Sequence, residues 1–105
     1  ANTTGNTFIF DDVEHGTNYK VGASDVKRRC RKFTTLAGQS GKLNLLDNLP
    51  TGITPFSIKV LMNSEGSVNE VQGIKYASAE NALTTELAEA TTASIEWYVT
   101  FEYYK

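Results

Sequence analysis

The chain has one cysteine, Cys30, and one histidine, His15. A lone cysteine cannot close an intramolecular disulfide, so a disulfide-stapled module is excluded. With no second cysteine or histidine at metal-ligand spacing, a zinc site has no donors either. No Gly-x-Ser-x-Gly, His-Glu-x-x-His or glycine-rich phosphate loop occurs; Gly38 and Gly41 enclose only Gln39 and Ser40. Long apolar runs are missing too. None approaches the roughly 18 residues of a membrane-spanning helix, and the first residues lack the charged and apolar regions of a signal peptide, so a soluble chain with no membrane partner is expected.

These absences leave little for catalysis. His15 stands in a polar turn beside Glu14 and Gly16. Cys30 has cations around it that would lower a thiol pKa, yet strand alternation puts it on one face with Val26, as a small buried hydrophobe. The carboxylates of Asp11, Asp12 and Glu14 match no calcium loop and read as a solvated acidic turn. No enzyme activity, no catalytic residue, no metal and no cofactor are expected.

Positive charge is scarce except in one place. Lys27, Arg28, Arg29, Arg31 and Lys32 make up half of the ten lysines and arginines, against twelve carboxylates in a chain of net charge −2. That balance argues against a protein that coats nucleic acid with its whole surface and restricts any such contact to this segment. As a strand, the segment puts Lys27, Arg29, Arg31 and Phe33 on one face, and Val26, Arg28, Cys30, Lys32 and Thr34 on the other. Adjacent cations about 7 Å apart suit the phosphates of an extended single strand, with Phe33 as a stacking surface. The alternative is that Arg29 and Arg31 pair across strands with the chain's own carboxylates, Glu96, Glu102 or Glu70, or that the segment contacts a neighbouring subunit.

The 105 residues suit a single domain, with an arm at residues 1–6 and one β-rich domain over 7–105. Short apolar or alternating segments separated by turn residues predict a mainly β fold, an antiparallel sandwich or barrel-like sheet of about six to eight short strands. Strands are expected at 8–10, 17–21, 26–36, 42–46 and 56–62, then a hairpin turn and a return strand over 68–77 with a bulge at Gly73. In 56–62, Phe56, Ile58, Val60 and Met62 are expected to share a face. Ala79, Ala82, Leu83, Leu87 and Ala90 fall at helical spacing behind Ser78, so one short helix is expected at about 78–93. A long closing strand follows, with Ile95, Trp97, Val99, Phe101 and Tyr103 facing the core. Its other face carries Glu96, Tyr98, Thr100, Glu102 and Tyr104. Tyr98, Glu102 and Tyr104 are therefore candidate contacts for a neighbouring subunit or a ligand.

The closing run Ile95-Glu96-Trp97-Tyr98-Val99-Thr100-Phe101-Glu102-Tyr103 resembles the last strand of viral β-sheet coat proteins, a generic alternating pattern confined to the end of the chain. The function expected is that of a non-enzymatic, self-assembling structural protein, a viral coat or capsid-associated protein located in the virion. Its basic segment, 27–33, would face nucleic acid or another subunit. The partners expected are further copies of the chain, as a homo-oligomer, and single-stranded nucleic acid. Two other functions fit the same residues: a carbohydrate-binding β-sandwich module using Trp97 and the tyrosines, and a single-stranded nucleic-acid-binding β-barrel using 27–33.

Overall fold

Turn residues divide the described residues into eight strands: β1 (Glu14–Val21), β2 (Ser24–Thr35), β3 (Gly41–Leu46), β4 (Thr54–Ser64), β5 (Ser67–Glu70), β6 (Lys75–Ala77), β7 (Ala82–Leu87) and β8 (Ile95–Tyr104). The structure is a computed structural model, and it describes residues 8–105. The arm expected at residues 1–6 lies outside the described residues.

The strands form two antiparallel sheets, one in the order β1-β2-β8-β4-β5 and one in the order β3-β7-β6. Between them lies one core cluster, to which Trp97, Val99 and Phe101 of β8, Val60 of β4, Leu45 and Leu46 of β3 and Leu83 of β7 all belong. The arrangement is sandwich-like and not a closed barrel. β8 holds the centre of the larger sheet because its alternation supplies five apolar side chains to one face, of which Trp97, Val99 and Phe101 are fully buried. Trp97 also has its polar atom satisfied, as the indole N–H donates to Thr35 Oγ1 at 2.9 Å.

Two local devices set the register. The β4–β5 hairpin turns at Glu65-Gly66, both at positive φ (52° and 86°), with Asn63 Oδ1 accepting from the Gly66 amide at 3.0 Å. A bulge between Pro55 and Ser57 shifts the pairing of β4 on β8. Because of that bulge Phe56 leaves the face of Ile58, Val60 and Met62 on which it was expected, and it stands half exposed.

The helix expected at about 78–93 is absent, and the described residues contain no helix at all. The polypeptide turns at 78–81, where Asn81 takes φ 52°, and then runs as β7 through Ala82, Leu83, Thr84 and Thr85, all buried. Burial on both sides of the strand erases the period-two pattern, and the residual spacing of alanine and leucine imitates a helix. The return strand expected over 68–77 is divided. β5 stays with β4, while β6 joins the other sheet after a crossing segment in which Gly73 has φ 76°. Residues 8–10, expected to be a strand, are in none. Among the described residues no helix is long and apolar enough to cross a membrane.

Candidate functional site

Strand alternation and the pairing of β2 with β8 decide where each cation goes. Lys27, Arg29, Arg31 and Phe33 lie opposite Tyr103, Phe101, Val99 and Trp97, so they share the inner, core-facing side of the five-stranded sheet. Arg29 is buried; it donates to Asp12 Oδ1 through Nε at 2.8 Å and to the Asp47 carbonyl at 2.7 Å. Arg31 donates to the Leu45 carbonyl at 3.0 Å, and its guanidinium lies 4.2 Å from the centre of the Phe33 ring. Both arginines thus reach from the large sheet to the main chain of β3 and the loop after it. β3 has a strand on one side only, and an unpaired strand edge is a place where a polypeptide must be protected. Phe33 stacks on Trp97 with ring centres 6.0 Å apart and planes 8° apart. Lys27 is half-buried and lines a small cavity with Glu14 and Asp25.

Arg28, Cys30 and Lys32 point the other way. Arg28 is 4% exposed and pairs with Glu102 on the adjacent strand, with Nε and Nη2 reaching Glu102 Oε2 at 2.9 and 2.6 Å. Lys32 stands 3.6 Å from Glu96 Oε2 and 5.6 Å from the centre of the Tyr98 ring, both at the surface. Cross-strand pairing with Glu96 and Glu102 therefore does occur, through Lys32 and Arg28, whereas Arg29 and Arg31 use other acceptors. Tyr98 donates to Glu96 Oε1 at 3.1 Å, and Tyr104, half-buried, ends the same face opposite Thr54.

The acidic turn of residues 11–14 is a clasp on this sheet. Asp11 meets His15 Nε2 at 2.9 Å, and that hydrogen bond holds the Asp11 carboxyl below its ordinary pKa. Asp12, at φ 60°, donates its amide to the Cys30 carbonyl at 2.8 Å while its side chain takes Arg29. Glu14 Oε2 accepts from the buried Tyr103 hydroxyl at 2.8 Å; burial, and then this carboxylate, push the Tyr103 pKa upward. Among the described residues no group of three or more His, Cys, Asp or Glu side chains could hold a metal ion. Cys30 is 1% exposed, and burial raises its thiol pKa despite the nearby Arg28, so the thiolate that a nucleophile requires is disfavoured.

The outer face also holds a groove of about 580 Å³ that the sequence did not announce. One wall is built by Phe8, Phe10 and Tyr19, from the segment before β1 and from β1 itself. Phe8 lies over the Arg28 guanidinium at 4.3 Å, and Phe10 meets the Tyr98 ring edge-on at 5.7 Å. The opposite wall is Phe56 and Leu61 of β4, and Arg28, Glu102 and Lys59 bring charge to the groove. Of the residues singled out in the sequence, Arg28 and Glu102 come together at this groove, with Tyr98 beneath Phe10 and Lys32 beside it. Arg29, Arg31 and Phe33 are on the far side of the sheet. The groove's aromatic walls were hidden because Phe8 and Phe10 read as a strand and because a bulge redirects Phe56. No family model, curated protein or solved structure matches the chain.

Proposed function

We propose that this chain is a non-enzymatic, self-assembling structural protein, with a viral coat or capsid-associated role as the setting that its closing strand suggests. One observation carries this reading. Large apolar side chains that a monomer would bury are gathered around the outer groove: Phe8 is 52% exposed, Phe10 40%, Tyr19 46% and Phe56 50%. Soluble monomers seldom present a contiguous apolar patch of this kind, and such patches mark contact surfaces. The inner face, by contrast, is spent on the fold. Trp97 is fully buried in it, which removes the ring that a carbohydrate platform would need.

The basic segment favours the subunit over nucleic acid as partner. Arg28, Arg29 and Arg31 each have an acceptor in the same chain at 3.0 Å or less, so moving them to phosphates would break contacts that hold the two sheets and the outer ion pair. Single-stranded nucleic acid is the second reading, resting on Lys32 and Lys59 beside the aromatic groove of the outer face, since Lys27 and Phe33 lie on the inner side of the sheet. The test is native mass by light scattering over a wide concentration range, with and without single-stranded RNA. Concentration-dependent assembly without RNA is the expected result. A monomer at every concentration overturns the assembly reading, and assembly only with RNA replaces it by the second.

A further inference from the structure

We infer that the outer face of the five-stranded sheet is a two-fold interface with a second copy of this chain, the Phe8–Phe10 ridge of each copy seating in the groove of the other. This rests on the self-assembly reading and names its surface.

The geometry is self-complementary. The ridge stands over the β2 and β8 side of the face, where Phe8 covers Arg28 and Phe10 covers Tyr98. The groove opens over the β4 side, against Phe56 and Leu61. A two-fold axis lying in the contact plane, parallel to the strands and between β8 and β4, exchanges these two halves: each ridge meets a groove, and β8 crosses over the β4 of the second copy. Such an isologous contact closes on itself.

The same operation matches charge. Pairing across the sheet places Lys32, Tyr98, Leu61 and Glu70 in one row over β2, β8, β4 and β5. Rotation about an axis parallel to the strands keeps the row in place and reverses its order. Lys32 then faces Glu70 of the second copy at both ends of the row, and Phe10, standing on Tyr98, faces Leu61 of the second copy in the middle. An apolar centre with opposite charges at its rim is the usual anatomy of a specific interface.

The experiment is sedimentation equilibrium on the full chain and on the variants Phe56→Ser, Lys32→Glu and Lys32→Glu/Glu70→Lys, with thermal melts as a check on folding. Wild type is expected to dimerise, Phe56→Ser to weaken the dimer by at least tenfold, and Lys32→Glu to weaken it by about fivefold, in keeping with the modest worth of rim ion pairs. The charge-exchanged double variant should recover most of that fivefold loss. As a direct check of the row, a carbodiimide that joins an amine to a carboxylate in contact should link Lys32 to Glu70 between subunits in the dimer band. Within one subunit their strands are three spacings, about 14 Å, apart. Association unchanged in all three variants, with no such link, overturns this interface and leaves self-assembly standing on another surface. A wild type that stays monomeric overturns both. If that monomer binds anilinonaphthalene sulfonate and Phe56→Ser abolishes the binding, the groove is a site for a small apolar ligand.

Discussion

The two faces of the five-stranded sheet are built from the same strands and put charge to opposite uses. On the inner face, Arg29 and Arg31 sit beside Phe101 and Val99 and donate to main-chain carbonyls of Asp47 and Leu45, so their charge ties one sheet to the other. On the outer face, Arg28 is as buried as its inner neighbours, but it is neutralised within the sheet by Glu102 and roofed by Phe8. Inside, cations hold the fold together. Outside, an ion pair is hidden beneath an aromatic surface. A cluster of positive charge thus need not be an anion site, because a guanidinium carries enough donors to serve as a structural bracket for carbonyl groups.

The difference is tested most severely on the inner face. Trp97→Ala removes a fully buried ring that stacks on Phe33 and donates to Thr35, and it leaves a cavity between the two sheets. The expected cost is about 3–5 kcal/mol, as for other large aromatic truncations in cores. That is a substantial part of the stability of a domain this size. Urea denaturation followed by tyrosine fluorescence or circular dichroism checks it. A loss below about 1 kcal/mol would mean that the inner face is not the core.

The outer ion pair comes next. Arg28→Met leaves Glu102 without its guanidinium in a position 9% exposed, and removing one partner of a buried pair typically costs about 3–5 kcal/mol. The groove gives water access to Glu102, so about 3 kcal/mol is expected. Replacing both partners, Arg28→Met with Glu102→Leu, should return stability to within about 1 kcal/mol of wild type, since an apolar pair satisfies a buried site as well as an ionic one. A double-mutant cycle by denaturation measures the coupling. If the double variant is as unstable as Arg28→Met, the pair does more than neutralise itself, and Phe8 packing on the guanidinium becomes the term to examine.

This contrast was legible in the sequence only by halves. Alternation sorted Lys27, Arg29, Arg31 and Phe33 from Arg28, Cys30 and Lys32, and it picked out the inward row of β8 from Ile95 to Tyr103, because side-chain direction in a strand is a local property. Which of the two cation rows faces the core depends on the register between β2 and β8, and that is fixed by partners about seventy residues away, such as Glu102 for Arg28. The helix expected near 78–93 failed for a related reason. Thr84 and Thr85 are buried like Ala82 and Leu83, so the strand lost the polar side that would have revealed it. The groove was the least legible feature, since it depends on a bulge at Phe56 and on where the segment 8–12 comes to lie.

The smallest effect expected belongs to the hydrogen bond that joins the acidic clasp to the inner face. Tyr103 is 2% exposed and donates to Glu14 Oε2 at 2.8 Å, whereas Glu14 itself is open to solvent. At neutral pH, Tyr103→Phe should therefore cost about 1 kcal/mol, because water can take over at the carboxylate. The sharper signature is in the pH dependence. The phenol has a folded-state pKa raised above its ordinary 10.0, by burial first and by Glu14 second. A raised pKa means that the folded protein holds its proton where the unfolded chain has given it up. The contribution of this group is whole below about pH 10 and declines above it, by up to about 1.4 kcal/mol per pH unit. Wild type and Tyr103→Phe should run parallel in denaturation midpoint from pH 7 to about 9.5 and then converge, since only the wild type has this phenol to lose. Curves that stay parallel into the alkaline range would show that Tyr103 ionises as freely in the fold as in the unfolded chain, and that the clasp at residues 11–14 does not seal the inner face.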